Sequence, residues 1–312
     1  MRLSVVIVNW NTRNLLERCL NSVSSDLSGF ANGSVETWVV DNASTDGSAD
    51  LVKQRFPWVT LIENSGNVGF ARANNQAIRQ AAGRFILLLN SDTEIFPGAL
   101  PGLIDAAGGV SAGRRGRAAG AQPRRLLQNC YGSLPSVASE IIGPYALDFL
   151  TKPWGKLGRH TQSRAIDKDG CQVVDRVSFA CTMIRREALE QVGLLDERFE
   201  FYSEDYDWFL RLRNAGWQTI FCPQAQIIHY WGASSGQRSE WSLRQLYRSK
   251  RLYFAKHQGA AAEAVLRLGL TMRFALKWLI GAARRLYDKP AATRQMAVYQ
   301  RLIQDMLQRI TP

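Results

Sequence analysis

The chain has 312 residues, 46% of them hydrophobic, and a formal net charge of +12. That is enough apolar material for one large α/β core, or a core with an appendage, and it excludes a wholly disordered chain. Five scattered cysteines (Cys19, Cys130, Cys171, Cys181, Cys222) form no CxxC pair, which excludes a sequence-local zinc clip or dithiol motif and fits a reducing cytoplasm.

The opening run "MRLSVVIVNWN" is too short for a signal-peptide core and reads as a first strand. Helical and strand patterns then alternate: "LLERCLNSV", "VETWVV", "SADLVKQRF", "VTLIE", "GFARANNQAIRQAA" and "RFILLL". Near-continuous apolar strands between helices indicate a mostly parallel sheet covered on both faces. Such sheets bind ligands at the carboxyl ends of their strands.

From about 108 to 170 the periodicity decays into Gly, Pro, Arg and Ser, which predicts loops and an insertion. Order returns with "DRVSFACTMIRREALEQVG", a strand leading into a helix stopped by Gly193. An acidic helix start, "YSEDYDWFLRLRNAG", and two strands, "WQTIFCP" and "AQIIHYW", follow, and after Gly236 the pattern is entirely helical. The expected domains are 1–236, in halves of about 1–107 and 108–236, and a basic helical region of 237–312.

The polar residues after each strand carry the chemistry. The first strand ends in "NWNTRN", with no glycine before Gly29, so neither a dinucleotide fingerprint nor a Walker loop is present. Asp41 ends the second strand and can accept the imide N–H of a uracil or thymine ring, or serve only as a turn aspartate. Ser44 or Thr45 can cap the next helix. Trp10 can stack on a nucleobase or fill a rim. In "NSGNVGF", Gly66, Asn67 and Gly69 precede a helix, so backbone N–H groups there can face phosphate or ribose, or form an ordinary loop. The fourth strand ends at Asn90-Ser91-Asp92, where a sugar-nucleotide transferase commonly carries Asp-x-Asp to hold a divalent metal through hard oxygens.

With these pieces in order, from "VVIVNWN" through "VVDNASTDGS", "LLLNSDTEIFPGAL" and "FYSEDYDWFLRLRNAGW" to "PQAQIIHYWGASS", the chain resembles an inverting family 2 glycosyltransferase of GT-A fold, on the non-processive, rhamnosyltransferase-like branch. The resemblance covers roughly residues 3 to 258. It implies an α/β nucleotide-binding sheet with a helical C-terminal appendage, and a Mn²⁺ or Mg²⁺ cofactor held by Asp92 and His229. It implies a donor site of Asn9, Trp10, Asp41, Asn67, Gly69, Asn90, Ser91 and Asp92. Asp205 takes the role of catalytic base, behind a candidate N-cap at Ser203, and Glu204 and Asp207 lie on the acceptor side. Asn90 replaces the first acid of Asp-x-Asp, losing a charge but keeping hydrogen-bonding capacity.

The implied reaction moves a sugar, with rhamnose from dTDP-rhamnose as first choice and a UDP-hexose as alternative, onto a lipid-linked or glycan acceptor. The Gln-x-x-Arg-Trp of processive synthases is incomplete at "QLYRS". A nucleotidyltransferase is disfavoured by the missing Gly-rich loop, and a silent membrane scaffold by the presence of Asp92, Asp205 and His229 together.

From Leu243 to Pro312 there are 14 Lys+Arg against three acids, so nearly all of the net charge sits in this tail. Arg267, Arg273, Lys277 and Arg284 interrupt its apolar run, which therefore does not read as a spanning helix. Two readings stand: a helix lying on an anionic membrane surface, which makes the protein cytoplasmic and peripheral on the plasma membrane, or packing on the catalytic domain or a homodimer partner. No nucleic-acid motif accompanies the charge.

Overall fold

The computed structural model describes residues 2–108, 117–123, 130–142, 170–230, 240–285, 289–308 and 310, with backbone alone at 117–123, 284, 289 and 291. They form two compact units. One comprises the described residues within Met1–Leu134, Thr161–Glu200 and Glu204–Gln237, the other those within Pro135–His160, Phe201–Ser203 and Arg238–Pro312.

The first unit begins with β1 (Leu3–Asn9), α1 (Arg13–Leu27), β2 (Val35–Asp41), α2 (Ser48–Arg55), β3 (Val59–Glu63), α3 (Phe70–Gln80) and β4 (Phe85–Asn90). β5 (Thr93–Ile95), α4 (Ala99–Gly108), β6 (Arg117–Pro123) and β7 (Tyr131–Gly132) follow. Among the described residues the main sheet runs β3-β2-β1-β4, all parallel, and continues through the antiparallel β10 (Cys181–Arg185) to β6, β11 (Gln218–His229) and β5. β8 (Gln172–Val174) also pairs with β11, and β7 pairs with β9 (Arg176–Val177) as a separate ribbon.

Alternation along the central strands builds a core on each face. Val5 and Ile7 of β1 and Leu87 and Leu89 of β4 pack with Leu16, Leu20 and Val23 of α1 and Leu100, Leu103 and Ile104 of α4. Val6, Ile86 and Leu88 face the other way, toward Ala73, Ala77 and Ile78 of α3. Ala188 and Leu189 of α6 (Arg186–Val192) and Trp208, Phe209 and Leu212 of α7 (Glu204–Asn214) complete that side. Each large side chain so buried contributes roughly 1.5–3 kcal/mol. Gly193 ends α6 as expected, with φ 87° and its N–H bonded to Leu189 O.

Two expectations change. The arginine-rich stretch read as loop contains β6, whose sequence RAAGAQP has weak strand propensity and is held extended by pairing with β10 on one side and β11 on the other. Arg114, Arg115, Arg124 and Arg125 lie outside the described residues. The two strands expected around Pro223 are one, β11, whose register against β6 shifts between Phe221 and Gln226, so the proline is absorbed at an irregularity rather than a break. The expected domain boundary at 236 falls outside the described residues.

In the second unit, α5 (Val137–Ile142), α8 (Glu240–Arg284) and α9 (Lys289–Leu307) pack together, and α8 is kinked at Gly259, which has φ 84°. Much of the basic charge is paired internally. The buried Arg251 binds Glu263 at 2.7 Å and the carbonyls of Asp305 and Gln308 at 2.8 Å each, while Arg244 grips Asp305 and Arg301 grips Glu240.

At Gly83, between α3 and β4, a Cβ would lie 2.5 Å from the backbone nitrogen of Ser4 and 2.7 Å from Leu3 C. Backbone cannot yield there without moving β1 against β4. Gly83→Ala is expected to cost roughly 1–3 kcal/mol, read as a lower midpoint in urea unfolding.

Candidate active site

Pairing of β1 sets Asn9 opposite Asp41 and Val8 opposite Asn90, so the carboxyl ends of β2, β1 and β4 form one edge. Asn9 is fully buried and turned into the protein. Its amide donates to Asp41 Oδ1 at 2.9 Å and Ser44 Oγ at 3.1 Å, and its carbonyl accepts from the Thr12 hydroxyl at 2.7 Å. Asn9 therefore positions Asp41. The Ser44 N–H binds the other Asp41 oxygen at 2.9 Å, which fixes the carboxylate and leaves each oxygen a lone pair for a ligand. Trp10, next along the chain, is 44% exposed. Neither Ser44 nor Thr45 caps α2, whose N-cap is Gly47; Asp46 just before it accepts from the N–H of Ser48, and Ser44 is already committed to Asn9, Asn11 and Asp41.

Asn67 is exposed, and its side-chain oxygen accepts the Gly69 N–H at 3.0 Å, closing the turn before α3. Gly69 has φ 86°, and a Cβ on it would sit 3.0 Å from Glu200 O. The loop before α3 thus abuts the segment leading to α7. That segment is pinned by Asn75 of α3, which bonds both the N–H and the carbonyl of Leu195, and by Glu197, which binds Asn75, Arg72 and Arg79.

At the end of β4, Thr12 gives its hydroxyl proton to Asn9, so in the 2.8 Å Thr12–Ser91 contact Ser91 is the donor. Ser91 is thereby turned inward. Asn90 stands half-buried on the same edge, and Asp92 is buried. The β5–β11 ladder sets His229 opposite Thr93, and the Tyr230 N–H binds Asp92 O at 2.9 Å. His229 Nε2 consequently lies 3.2 Å from Asp92 Oδ1. Two adjacent ligands of an octahedral cation bound at about 2.1 Å are about 3 Å apart, so this pair fits one shared divalent ion. Among the described residues no group of three or more His, Cys, Asp or Glu could hold a metal. Such an ion would take its remaining ligands from substrate and water.

The acidic start of α7 divides three ways. Asp207, expected on the acceptor side, is fully buried and binds Arg211 Nε at 2.9 Å; Arg211 in turn donates to the carbonyls of Val192 and Leu194. Its placement is structural, because a helix turns residues three and four apart to one face and Asp207 shares that face with Arg211. Asp205 keeps 19% of its side chain exposed, accepts the Tyr206 N–H on Oδ1 at 2.8 Å and faces Arg176 Nη1 with Oδ2 at 3.5 Å. Burial raises the Asp205 carboxyl above its ordinary value, against the opposing charge of Arg176. Glu204 Oε2 is buried without a hydrogen-bond partner among the described residues. Burial first, then the charge of Asp205, push the Glu204 carboxyl up to about 8.

Ser203 does not cap α7. It lies in the left-handed region (φ 66°), as does Tyr202 (φ 68°), and its hydroxyl makes no hydrogen bond among the described residues. Two such residues cost about 1–2 kcal/mol each, strain of the kind found beside functional groups.

Residues 4–193 match the profile of Glycosyl transferase family 2, and residues 170–301 that of Glycosyl transferase family group 2. The chain belongs to glycosyltransferase family 2. This family 2 glycosyltransferase is 30% identical to an N-acetylglucosaminyl-diphospho-decaprenol L-rhamnosyltransferase of Mycobacterium tuberculosis, over 88% of the present chain and 91% of the relative. Its GT-A fold is shared with a Pyrobaculum calidifontis mannosyltransferase, PcManGT, solved with GDP-Man and Mn²⁺ (TM-score 0.55, 18% identity, 97% of this chain and 85% of that one). It is shared also with residues 1–349 of Staphylococcus aureus TarS, solved with UDP-GlcNAc (TM-score 0.51, 16% identity, 98% of this chain and 82% of that one).

Arg176, Glu200 and Asn75 were not singled out in the sequence, since each acts through a partner distant in the chain. For Glu204 the folded chain retains, between the ordinary carboxyl value of 4.5 and about 8, a proton that the unfolded chain has lost. Stability therefore falls as pH rises through that window. Glu204→Gln is expected to flatten the fall: near pH 8 the variant should outlast wild type in urea, while near pH 4 their midpoints should coincide.

Proposed function

We propose that the glycosyltransferase inverts configuration while moving rhamnose from dTDP-rhamnose onto a hydroxyl of a lipid-linked acceptor in cell-surface glycan synthesis. The observation that carries this reading is the edge itself: Asp41 fixed by Asn9, the Asp92–His229 pair, and α7 entering beside Gly69. Support for the sugar and the acceptor comes from the mycobacterial relative, which acts on a decaprenol-linked substrate and transfers L-rhamnose by name.

In this reading Asp41 accepts the imide N–H of the base and Trp10 stacks on it. Thymine and uracil present the same imide, so a UDP-sugar such as that bound by TarS is the second donor to test. Asp92 and His229 would hold a divalent cation, which neutralises charge on the departing diphosphate. Asn90 contributes hydrogen bonds without charge. The acceptor oxygen attacks the anomeric carbon as its bond to diphosphate breaks, and Asp205 takes the hydroxyl proton. Glu204, protonated at neutral pH, can donate a hydrogen bond toward the acceptor.

Asp205→Asn is expected to lower turnover by about 10²–10⁴-fold with donor binding retained. Asp92→Asn should remove the Mn²⁺-dependent thermal shift produced by dTDP or UDP, and Asn90→Asp should keep or strengthen it. Equal loss from both changes at 90 and 92 would contradict this division of roles.

The second unit offers support for contact with a membrane. Beyond Gly259, α8 exposes Val265, Leu268, Met272, Leu276, Leu279 and Ile280, each 45–64% accessible and three or four residues apart except for the adjoining last pair. The basic residues expected at headgroups are partly engaged: Arg267 lies 3.8 Å from Glu263, Arg273 donates to Glu140 O, and Lys277 sits over the Tyr299 ring. The apolar stripe is therefore the stronger argument for interfacial insertion. The full chain is expected to co-sediment with phosphatidylglycerol vesicles and the double change Leu268→Asp, Leu276→Asp to stay in solution; wild type left in the supernatant would overturn the membrane reading.

A further inference from the structure

The β7–β9 ribbon has no place in the sugar-nucleotide site described above, yet it ends beneath the first turn of α7. Arg176 of β9 stands opposite Gly132 of β7. The guanidinium passes over Gly132, where a Cβ would meet Arg176 Nη2 at 3.5 Å, an ordinary van der Waals contact. Three contacts define where that guanidinium goes. Its Nε donates to Ser133 O at 3.3 Å, its Cζ lies 4.4 Å from the centre of the Tyr206 ring, and its Nη1 is 3.5 Å from Asp205 Oδ2. Only 18% of the Arg176 side chain is exposed.

We propose that Arg176 is the positioning residue for Asp205, holding its carboxylate at a set rotation and compensating its charge so that Oδ2 can receive the acceptor proton. The proposal rests on the assignment of Asp205 as base. Asp205 Oδ1 is taken by the Tyr206 N–H at 2.8 Å, so the carboxylate is held from both sides. The longer approach to Oδ2 is an ion pair rather than a tight hydrogen bond, which leaves a lone pair directed outward.

The charged and titratable groups around Asp205 support this division. On α7, Glu204 is its neighbour and Tyr206 carries the ring under Arg176, while Asp207 is committed to Arg211. On β9's side, Asp175 faces Arg213 at 3.9 Å, and the Cys130 thiol, pushed up to about 11 by burial, is neutral. The compensating cation for Asp205 is thus Arg176, the charge that opposes the upward effect of burial.

The test uses the full chain with ¹³C-labelled aspartate carboxyls, the Asp205 signal being assigned by its disappearance in Asp205→Asn. In Arg176→Met, which retains an apolar stem, the Asp205 titration should move up by about 1–3 pH units. Arg176→Lys should bring back part of the shift. In transfer from dTDP-rhamnose to a synthetic N-acetylglucosaminyl-diphospho-lipid, the acidic limb of kcat/KM should move by the same amount, with the donor KM unchanged. A folded Arg176→Met chain whose Asp205 titrates as in wild type would overturn the proposal. A titration that moves while Asp205→Asn keeps full turnover would instead overturn the base assignment and, with it, the catalytic meaning of the pair.

Discussion

The edge on which the site is built depends on β1 lying in parallel register between β2 and β4. That register brings three strand ends to one edge, and the Asn9 side chain converts alignment into fixed geometry by bonding Asp41, Ser44 and Thr12 at once. A buried amide with these partners is costly to disturb, because each lost partner leaves a desolvated polar group. Gly83 serves the same register from the other end of β4, by letting backbone approach backbone where no side chain fits. The β1–β4 register is thus constrained at both ends of the strands.

The charges around this edge are handled in different ways. Asp41 is held by neutral donors and remains an acceptor, Asp92 is set beside an imidazole, Asp207 is spent on Arg211, and Asp205 is balanced by a guanidinium across a gap. Glu204 receives no such compensation and holds its proton well into the neutral range. Burial raises both of these adjacent carboxyls, and only Asp205 has a guanidinium beside it that opposes the rise. Left-handed backbone at Tyr202 and Ser203 precedes them, so the entry to α7 stores strain where the chemistry is proposed.

Much of the architecture was legible in the chain. Apolar runs such as "SVVIV" and "FILLL" between amphipathic helices specify a covered parallel sheet, since only burial on both faces tolerates them. β6 was not legible, because Ala, Gly and Gln have no strand preference of their own and neighbours on both sides impose the extended state. Arg176 was equally hidden, since a basic residue in a short strand carries no local mark of the helix it will face. The basic tail admitted both an external surface and internal packing, and the fold shows part of its charge engaged inside: Arg251, Arg244 and Arg301 find acids or carbonyls within the same unit.

By itself the sequence showed the family through its motifs, the succession of strands along the chain through hydrophobic period, and the residue types offered at their ends. Tertiary structure alone decided which of those residues face outward. Asn9, Ser91 and Asp207 are all polar and all lie in the motifs, yet each is consumed in holding a neighbour. The reason is physical: a side chain's role is set by whether its hydrogen bonds are satisfied within the protein, and its partners at Asp41, Thr12 and Arg211 are brought to it by strand pairing and helix phase rather than by composition.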